Sequence, residues 1–103
     1  MQNTVQNKTY RAGASVVVQN APNPGLFYIV RKGRLAIDTE HRLSDKVLSR
    51  FEPGDSFGLV SALTGHHFLV TIYAETDAEV AEVPISKIAE YIRPEPTLAV
   101  KVL

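Results

Sequence analysis

The sequence has no cysteine and no tryptophan, and only one methionine among its 103 residues. Without cysteine the chain forms no disulfide, offers no thiolate to a metal and has no thiol nucleophile. No apolar run approaches the roughly 18 residues that a membrane-spanning helix needs, and the polar start Met1-Gln2-Asn3-Thr4 is unlike a signal peptide. These absences favour a cytoplasmic domain that makes no contact with a membrane.

The chain also lacks a charge excess, because 11 Lys and Arg residues balance 11 Asp and Glu residues. Nucleic-acid-binding domains normally carry a basic excess, so we expect no direct contact with nucleic acid. The charges are unevenly placed: six of the basic residues fall between Arg31 and Arg50, and six of the acidic ones between Glu75 and Glu95. We interpret these segments as solvated faces; the alternative is a face that docks on another part of a longer chain.

Short apolar stretches separated by turn residues predict a mainly β domain. The stretch from 26 to 30 is expected to be a buried strand, joined to 34–38 as a hairpin by the tight turn Lys32-Gly33. Further strands are predicted at 14–18, 46–51, 68–74 and 76–83. Period-two alternation places these side chains in the core: Val16, Val18, Phe27, Ile29, Leu35, Ile37, Val70 and Ile72.

One corner motif occurs twice in the sequence. Tyr10-x-x-Gly13-x-Ser15 and Phe51-x-x-Gly54-x-Ser56 share the arrangement aromatic-x-x-Gly-x-Ser. Glycine permits the positive φ that such corners need. Two copies of one corner predict a sheet that folds back on itself in two halves.

Helix signals come late in the chain. Ile85, Ile88, Ala89 and Ile92 follow helical spacing, with Pro84 at the expected start and Pro94 at the end. A short helical turn is predicted at 59–63, between strands. A second helix, 97–103, breaks off after about two turns. We therefore interpret residues 1–103 as one domain, a fragment cut inside its C-terminal helix.

The order of the motifs resembles the cyclic nucleotide-binding domain. The motifs are Phe27-Tyr28-Ile29-Val30-x-x-Gly33-x-Leu35, then Phe51-x-Pro-Gly-Asp55, then the segment from Phe57 to Gly65 and a strand ending at Ala74. The family is the sensor module of catabolite-activator-type regulators, cyclic-nucleotide-dependent kinases and gated channels, and the resemblance runs from about Tyr10 to Leu103. It implies an eight-stranded β-roll, jelly-roll-like, with a short helix in its phosphate-binding cassette and helices at the C-terminus.

The resemblance also implies where a ligand would bind. In the family, backbone N–H groups at the short helix and an Arg hold the phosphate, and a Glu accepts from the ribose hydroxyl. This chain has Leu59 and Phe68 at the Glu and Arg positions. The corresponding cassette positions are Phe57, Gly58, Leu59, Val60, Ser61, Phe68, Leu69 and Val70.

Losing both polar anchors is expected to weaken nucleotide binding strongly. A charge-assisted hydrogen bond contributes roughly 1.5–3 kcal/mol, so affinity should fall by about two to four decades. A compensating cation from Arg31 or Arg50 is the alternative.

Ser61 is either a hydroxyl donor or, as we favour, a small helix residue facing the roll. Since the helix start after Gly58 remains, replacing Leu59→Glu together with Phe68→Arg is expected to restore part of the binding.

No catalytic or metal-binding set stands out in the sequence. His66 and His67 are adjacent, so on a strand they point to opposite faces and chelate poorly; with His41 we interpret them as exposed loop residues. Ser56, Ser61 and Ser86 lack a nucleophile elbow, and Asp55 and Asp77 are typical of turns. We expect no cofactor and no enzyme activity.

The sequence thus predicts a regulatory sensor domain that does not bind cyclic AMP or cyclic GMP in the usual way. The alternatives are a sensor of a different small molecule, or an interaction module of a larger regulator that binds no ligand. The resemblance implies an effector domain downstream, such as the DNA-binding helix-turn-helix of a transcription regulator. It also allows a homodimer through the C-terminal helix.

Overall fold

The computed structural model describes residues 4–38 and 50–91 of the chain. Eight strands lie in these residues and form two four-stranded antiparallel sheets. The strands are β1 (Gln6–Tyr10), β2 (Ser15–Val17), β3 (Leu26–Lys32), β4 (Leu35–Asp38), β5 (Arg50–Phe51), β6 (Ser56–Phe57), β7 (Thr71–Ala74) and β8 (Ala78–Pro84). Helix α1 is Leu59–Thr64, and a 3₁₀ turn, Ile85–Lys87, leads into helix α2, Ile88–Tyr91. The first sheet has the order β1-β8-β3-β6 and the second β2-β7-β4-β5.

The chain passes from one sheet to the other within each of the pairs β1–β2, β3–β4, β5–β6 and β7–β8. Long antiparallel ribbons therefore bend across both sheets, and this arrangement confirms the predicted β-roll. Both copies of the corner motif lie at such bends. The N–H of Gly13 donates to Ala74 O at 2.7 Å, and the N–H of Gly54 donates to Val30 O at 2.9 Å. The predicted folding of the sheet in two halves is confirmed.

The predicted hairpin between β3 and β4 is wrong, because the two strands lie in different sheets. Strand β3 pairs with β8 and β6, whereas β4 pairs with β7 and β5. Between them lies Gly33, whose φ of +79° is accessible mainly to glycine and where a Cβ would overlap Asp77 O. Arg34 N donates to Thr76 Oγ1 at 3.0 Å, which ties this bend to the one between β7 and β8. A tight turn is present, but it directs the chain around a corner instead of back along its own sheet.

The space between the sheets holds the main core. It contains the predicted residues Leu35 and Ile72, and Val16, Ile37 and Val70 pack against it half-buried. The prediction that Val18 lies in the core is wrong, because this residue is 52% exposed, and Val17 is buried instead. The cause is an irregularity in β2, where Ser15 pairs with Tyr73 but Val17 pairs with Ile72, so the side-chain alternation shifts by one residue.

A second apolar cluster covers the outer face of the first sheet. The predicted core residues Phe27 and Ile29 lie here, because they alternate along β3 with Tyr28 and Val30, which face the interior. Ile85 and Ile88, from the segment that follows Pro84, pack on this face and confirm the predicted helix start. Residues 46–49, Ile92, Pro94 and the predicted helix 97–103 lie outside the described residues. Within the described ranges 4–38 and 50–91, no helix is long and apolar enough to cross a membrane.

Candidate functional site

The cassette comprises β6, helix α1 and the segment up to β7. Gly58 lies directly before α1 with a φ of +84°, and a Cβ built there would lie 3.1 Å from Tyr28 Cδ2. A larger residue would therefore push the cassette away from β3. The helix ends at Gly65, which has a φ of 72° and whose N–H donates to Ser61 O at 2.9 Å. Two glycines thus set the short length of α1.

An aromatic cluster fills the interior of the roll beneath the cassette. Tyr28 stacks on Phe57 with ring centroids 4.9 Å apart and an interplanar angle of 10°. Phe68 lies tilted against the same tyrosine at 6.0 Å, and Phe51 lies tilted against Phe57 at 5.2 Å. Phe68 is only 8% exposed. The position at which the family places Arg is therefore occupied by a ring that belongs to the core.

Leu59, at the position where the family places Glu, faces the other way. Its side chain is buried in the outer-face cluster with Phe27, Ile29, Ala81 and Val83. Phe68 belongs to the interior cluster with Tyr28. The structure therefore does not bring the two residues into one pocket.

The remaining predicted cassette residues divide between surface and core. Val60 and Leu69 are 39% and 69% exposed, and Val70 is half-buried against the interior cluster. Ser61 is buried. Its hydroxyl donates to His66 O at 2.6 Å and accepts from Asn23 Nδ2 at 3.1 Å. As favoured from the sequence, Ser61 is a small buried helix residue, and its hydroxyl is used within the protein.

The cassette carries no permanent charge. Residues 57–70 include no Asp, Glu, Lys or Arg, and His66 and His67 are exposed as predicted. Of the two arginines considered as substitutes, Arg50 donates from Nε to Glu75 Oε1 at 2.8 Å on the second sheet. Arg31 is exposed near the end of β3, whereas the cassette contacts that strand between Leu26 and Ile29.

A carboxylate lies on the inner face of the first sheet, beside two tyrosines. Glu82 is 8% exposed, pairs with Tyr28 across the strands, and has Lys8 Nζ at 3.6 Å. Burial raises the pKa of Tyr28 far above its ordinary value, and the nearby charge of Glu82 adds to this shift. Burial, with a smaller contribution from Glu82, likewise raises the pKa of Tyr10. Both phenols therefore stay protonated at neutral pH.

Sequence reasoning missed two residues that organise this region. Tyr28 contacts Phe57 and Phe68 and lies beside Gly58, but in the sequence it stands out only as part of a family motif. Asn23 does not stand out in the sequence patterns described above. Its place in Pro22-Asn23-Pro24-Gly25 was a usable signal, because Asn before such a turn commonly bonds the backbone two residues on.

A shallow depression of about 290 Å³ lies beside the cassette on the surface. It is lined by Asn20, Gly65, His66, His67, Phe68 and Leu69. No acidic or permanently cationic side chain lines it. Its chemistry suits an apolar or weakly polar group and not a phosphate.

Comparison with known proteins agrees with this architecture. The chain is 37% identical over 76 residues to the lysophospholipase NTE1 of Eremothecium gossypii, a match that covers 72% of this chain but 5% of that protein. The catabolite activator protein of Thermus thermophilus superposes with a TM-score of 0.70 at 22% identity, over 86% of this chain and 42% of that one. The cAMP-bound regulatory domain of Toxoplasma gondii PKA gives 0.69 at 19% identity, over 86% and 34%.

The family model of the cyclic nucleotide-binding domain matches residues 7–94, which include the cassette and all eight strands except Gln6, the first residue of β1. The bent ribbons, the glycine-bounded helix α1 and this match lead to one conclusion. The chain belongs to the cyclic nucleotide-binding domain family.

Proposed function

We propose that this domain is a regulatory module that keeps the cyclic nucleotide-binding fold but does not bind cyclic AMP or cyclic GMP tightly. The observation that carries the proposal is the burial of Phe68 against Tyr28, in a cassette without a charged side chain. A cyclic phosphate entering here would lose its hydration and gain no cation in return. The backbone N–H groups at the start of α1 would then be its remaining hydrogen-bond donors.

On this proposal the module acts through contacts with other parts of a longer protein and performs no catalytic step itself. The chain spans 5% of the lysophospholipase to which it is similar. We propose that it belongs to a phospholipid-hydrolysing protein of that kind, located in the cytoplasm. The coding sequence on either side tests this: a hydrolase domain would support it, and a DNA-binding helix-turn-helix would contradict it.

Calorimetric titration of the 103-residue chain with cyclic AMP and cyclic GMP tests the loss of binding. We expect no saturable heat below about millimolar nucleotide, which corresponds to less than about 4 kcal/mol of binding free energy. A catabolite activator protein that binds cyclic AMP serves as the positive control. A dissociation constant in the low micromolar range would overturn the proposal.

The second candidate function is a sensor of an apolar small molecule. The observation that favours it is the depression bounded by Asn20 and Leu69, which no acidic or permanently cationic side chain lines. A thermal-shift screen of apolar compounds separates the two candidates. A compound that raises the melting temperature, and does so less when Leu69→Ser is present, would favour the sensor.

A further inference from the structure

A fully bonded network joins the cassette to the loop before β3. The Asn23 side chain accepts at Oδ1 from the N–H groups of Gly25 (2.9 Å) and Leu26 (2.8 Å). Its Nδ2 donates to Leu26 O at 2.9 Å and to Ser61 Oγ at 3.1 Å. Both amide hydrogens and both oxygen lone pairs of Asn23 are therefore used.

The network continues across the cassette. Ser61 Oγ in turn donates to His66 O at 2.6 Å, and His66 follows α1 directly after Gly65. The backbone of Phe68 is fastened to the same loop, since its N–H donates to Ala21 O at 3.0 Å and its O accepts from Asn20 N at 2.8 Å. The loop thus holds the helix through Asn23 and the end of the cassette through Phe68.

We propose that Asn23 and Ser61 form a clasp that holds the cassette in one conformation without an effector. The clasp consists of these two side chains and the carbonyl groups of Leu26 and His66. It rests on the proposed function, because a module that binds no nucleotide needs another means to fix its cassette. Asn23 is a positioning residue here, acting through Ser61 on the turn at His66.

The geometry explains why these two side chains are suited to the task. Asparagine supplies donors and acceptors on one short, planar group, so it bonds its own loop and a second element together. The Ser61 hydroxyl is buried, and a buried hydroxyl that lost its partners would be left unsatisfied. Opening the cassette would therefore break bonds at Asn23, Ser61 and His66 together, which makes the opening cooperative.

Hydrogen exchange of backbone amides tests the clasp in the 103-residue chain. Asn23→Asp keeps the shape but removes both donors, and Ser61→Ala removes the hydroxyl. Each change is expected to raise exchange of amides 59–68 about tenfold, equivalent to about 1.4 kcal/mol. The effect of the double variant should be smaller than the product of the two single effects, because both substitutions remove the bond between Asn23 and Ser61. Asn7→Asp, on the exposed strand β1, is the matched control and should leave the cassette amides unchanged.

The residues at which exchange becomes faster decide whether the clasp is supported. Faster exchange confined to residues 59–68, with amides of Val80 and Ala81 in β8 unchanged, supports the clasp. Faster exchange throughout the chain, or no change in folded Asn23→Asp and Ser61→Ala, overturns it. A cyclic nucleotide that protects the cassette of the unmodified chain would instead overturn the proposed function, whatever the two variants show.

Discussion

Leu59 and Phe68 lie on opposite faces of strand β3. Leu59 packs on the outer face with Phe27 and Ile29, and Phe68 packs in the interior with Tyr28. Because consecutive residues of β3 alternate between these clusters, the backbone of the first sheet separates the two side chains. The two replaced anchors of the cassette therefore make different contributions to stability, and they respond differently to substitution.

Leu59→Glu is expected to destabilise the domain. The new carboxylate would replace an apolar side chain that is 7% exposed and would find no cation among its neighbours Phe27, Ile29, Ala81 and Val83. An uncompensated buried charge costs about 3–5 kcal/mol, which urea unfolding would measure. Val60→Glu is the control, since this neighbour is 39% exposed and its change should stay within about 0.5 kcal/mol. Equal effects of the two variants would contradict the outer-face position of Leu59.

Phe68→Ala is expected to open a cavity in the aromatic cluster. The ring contacts Tyr28 from the interior and is 8% exposed, so its removal should lower the free energy of unfolding by about 3–5 kcal/mol. Leu69→Ala, at a neighbour that is 69% exposed, should change it by less than about 0.5 kcal/mol. Thermal or urea unfolding of both variants provides the comparison. A loss below about 1 kcal/mol for Phe68→Ala would show that the ring is not part of the core.

Combining Leu59→Glu with Phe68→Arg should not restore nucleotide binding. The sequence comparison alone predicted partial restoration, since it assumed that both side chains face one ligand. The structure changes that expectation, because a residue at 59 points to the outer face. Titration of the folded double variant with cyclic AMP should give no tighter binding than the parent. A gain of tenfold or more, about 1.4 kcal/mol, would mean that the cassette rearranges around the new charges.

Alkaline pH should destabilise the domain through Tyr28. In the unfolded chain this phenol loses its proton near its ordinary pKa of about 10, whereas burial and Glu82 raise the folded pKa. Above about pH 10 the folded state therefore binds more protons than the unfolded one, and stability falls as pH rises, by up to about 1.4 kcal/mol per pH unit. Below that pH the tyrosine contributes no pH dependence.

Tyr28→Phe separates this titration from other alkaline effects. The substitution keeps the ring that stacks on Phe57 but removes the ionisable hydroxyl. Urea unfolding between pH 9 and pH 11 should show a shallower loss of stability for Tyr28→Phe than for the parent. Identical slopes would show that the tyrosine does not titrate differently in the folded and unfolded states.

Local sequence signals were sufficient for much of the fold. Gly13 and Gly54 marked two bends, Gly58 and Gly65 bound α1, and Pro84 marked the start of the C-terminal helical segment. Each of these features depends on the backbone preference of one or two residues, so a short stretch of sequence contains the information. The family resemblance then supplied the eight-stranded β-roll, but not the pairing of its strands.

Side-chain direction depended on longer-range pairing. The irregularity that turns Val18 outward arises where β2 meets β7, more than fifty residues later in the chain. The bend at Gly33 packs closely against Asp77, and the hydrogen bond of Asn23 to Ser61 joins residues 38 positions apart.

Residue type and local conformation were therefore enough to predict a mainly β fold, its corners and a cassette without permanent charge. The tertiary structure was needed to show that Leu59 faces outward, that Phe68 fills the interior and that Asn23 bonds to Ser61. Those outcomes depend on which distant strands lie side by side, and a period-two pattern gives no information about that pairing.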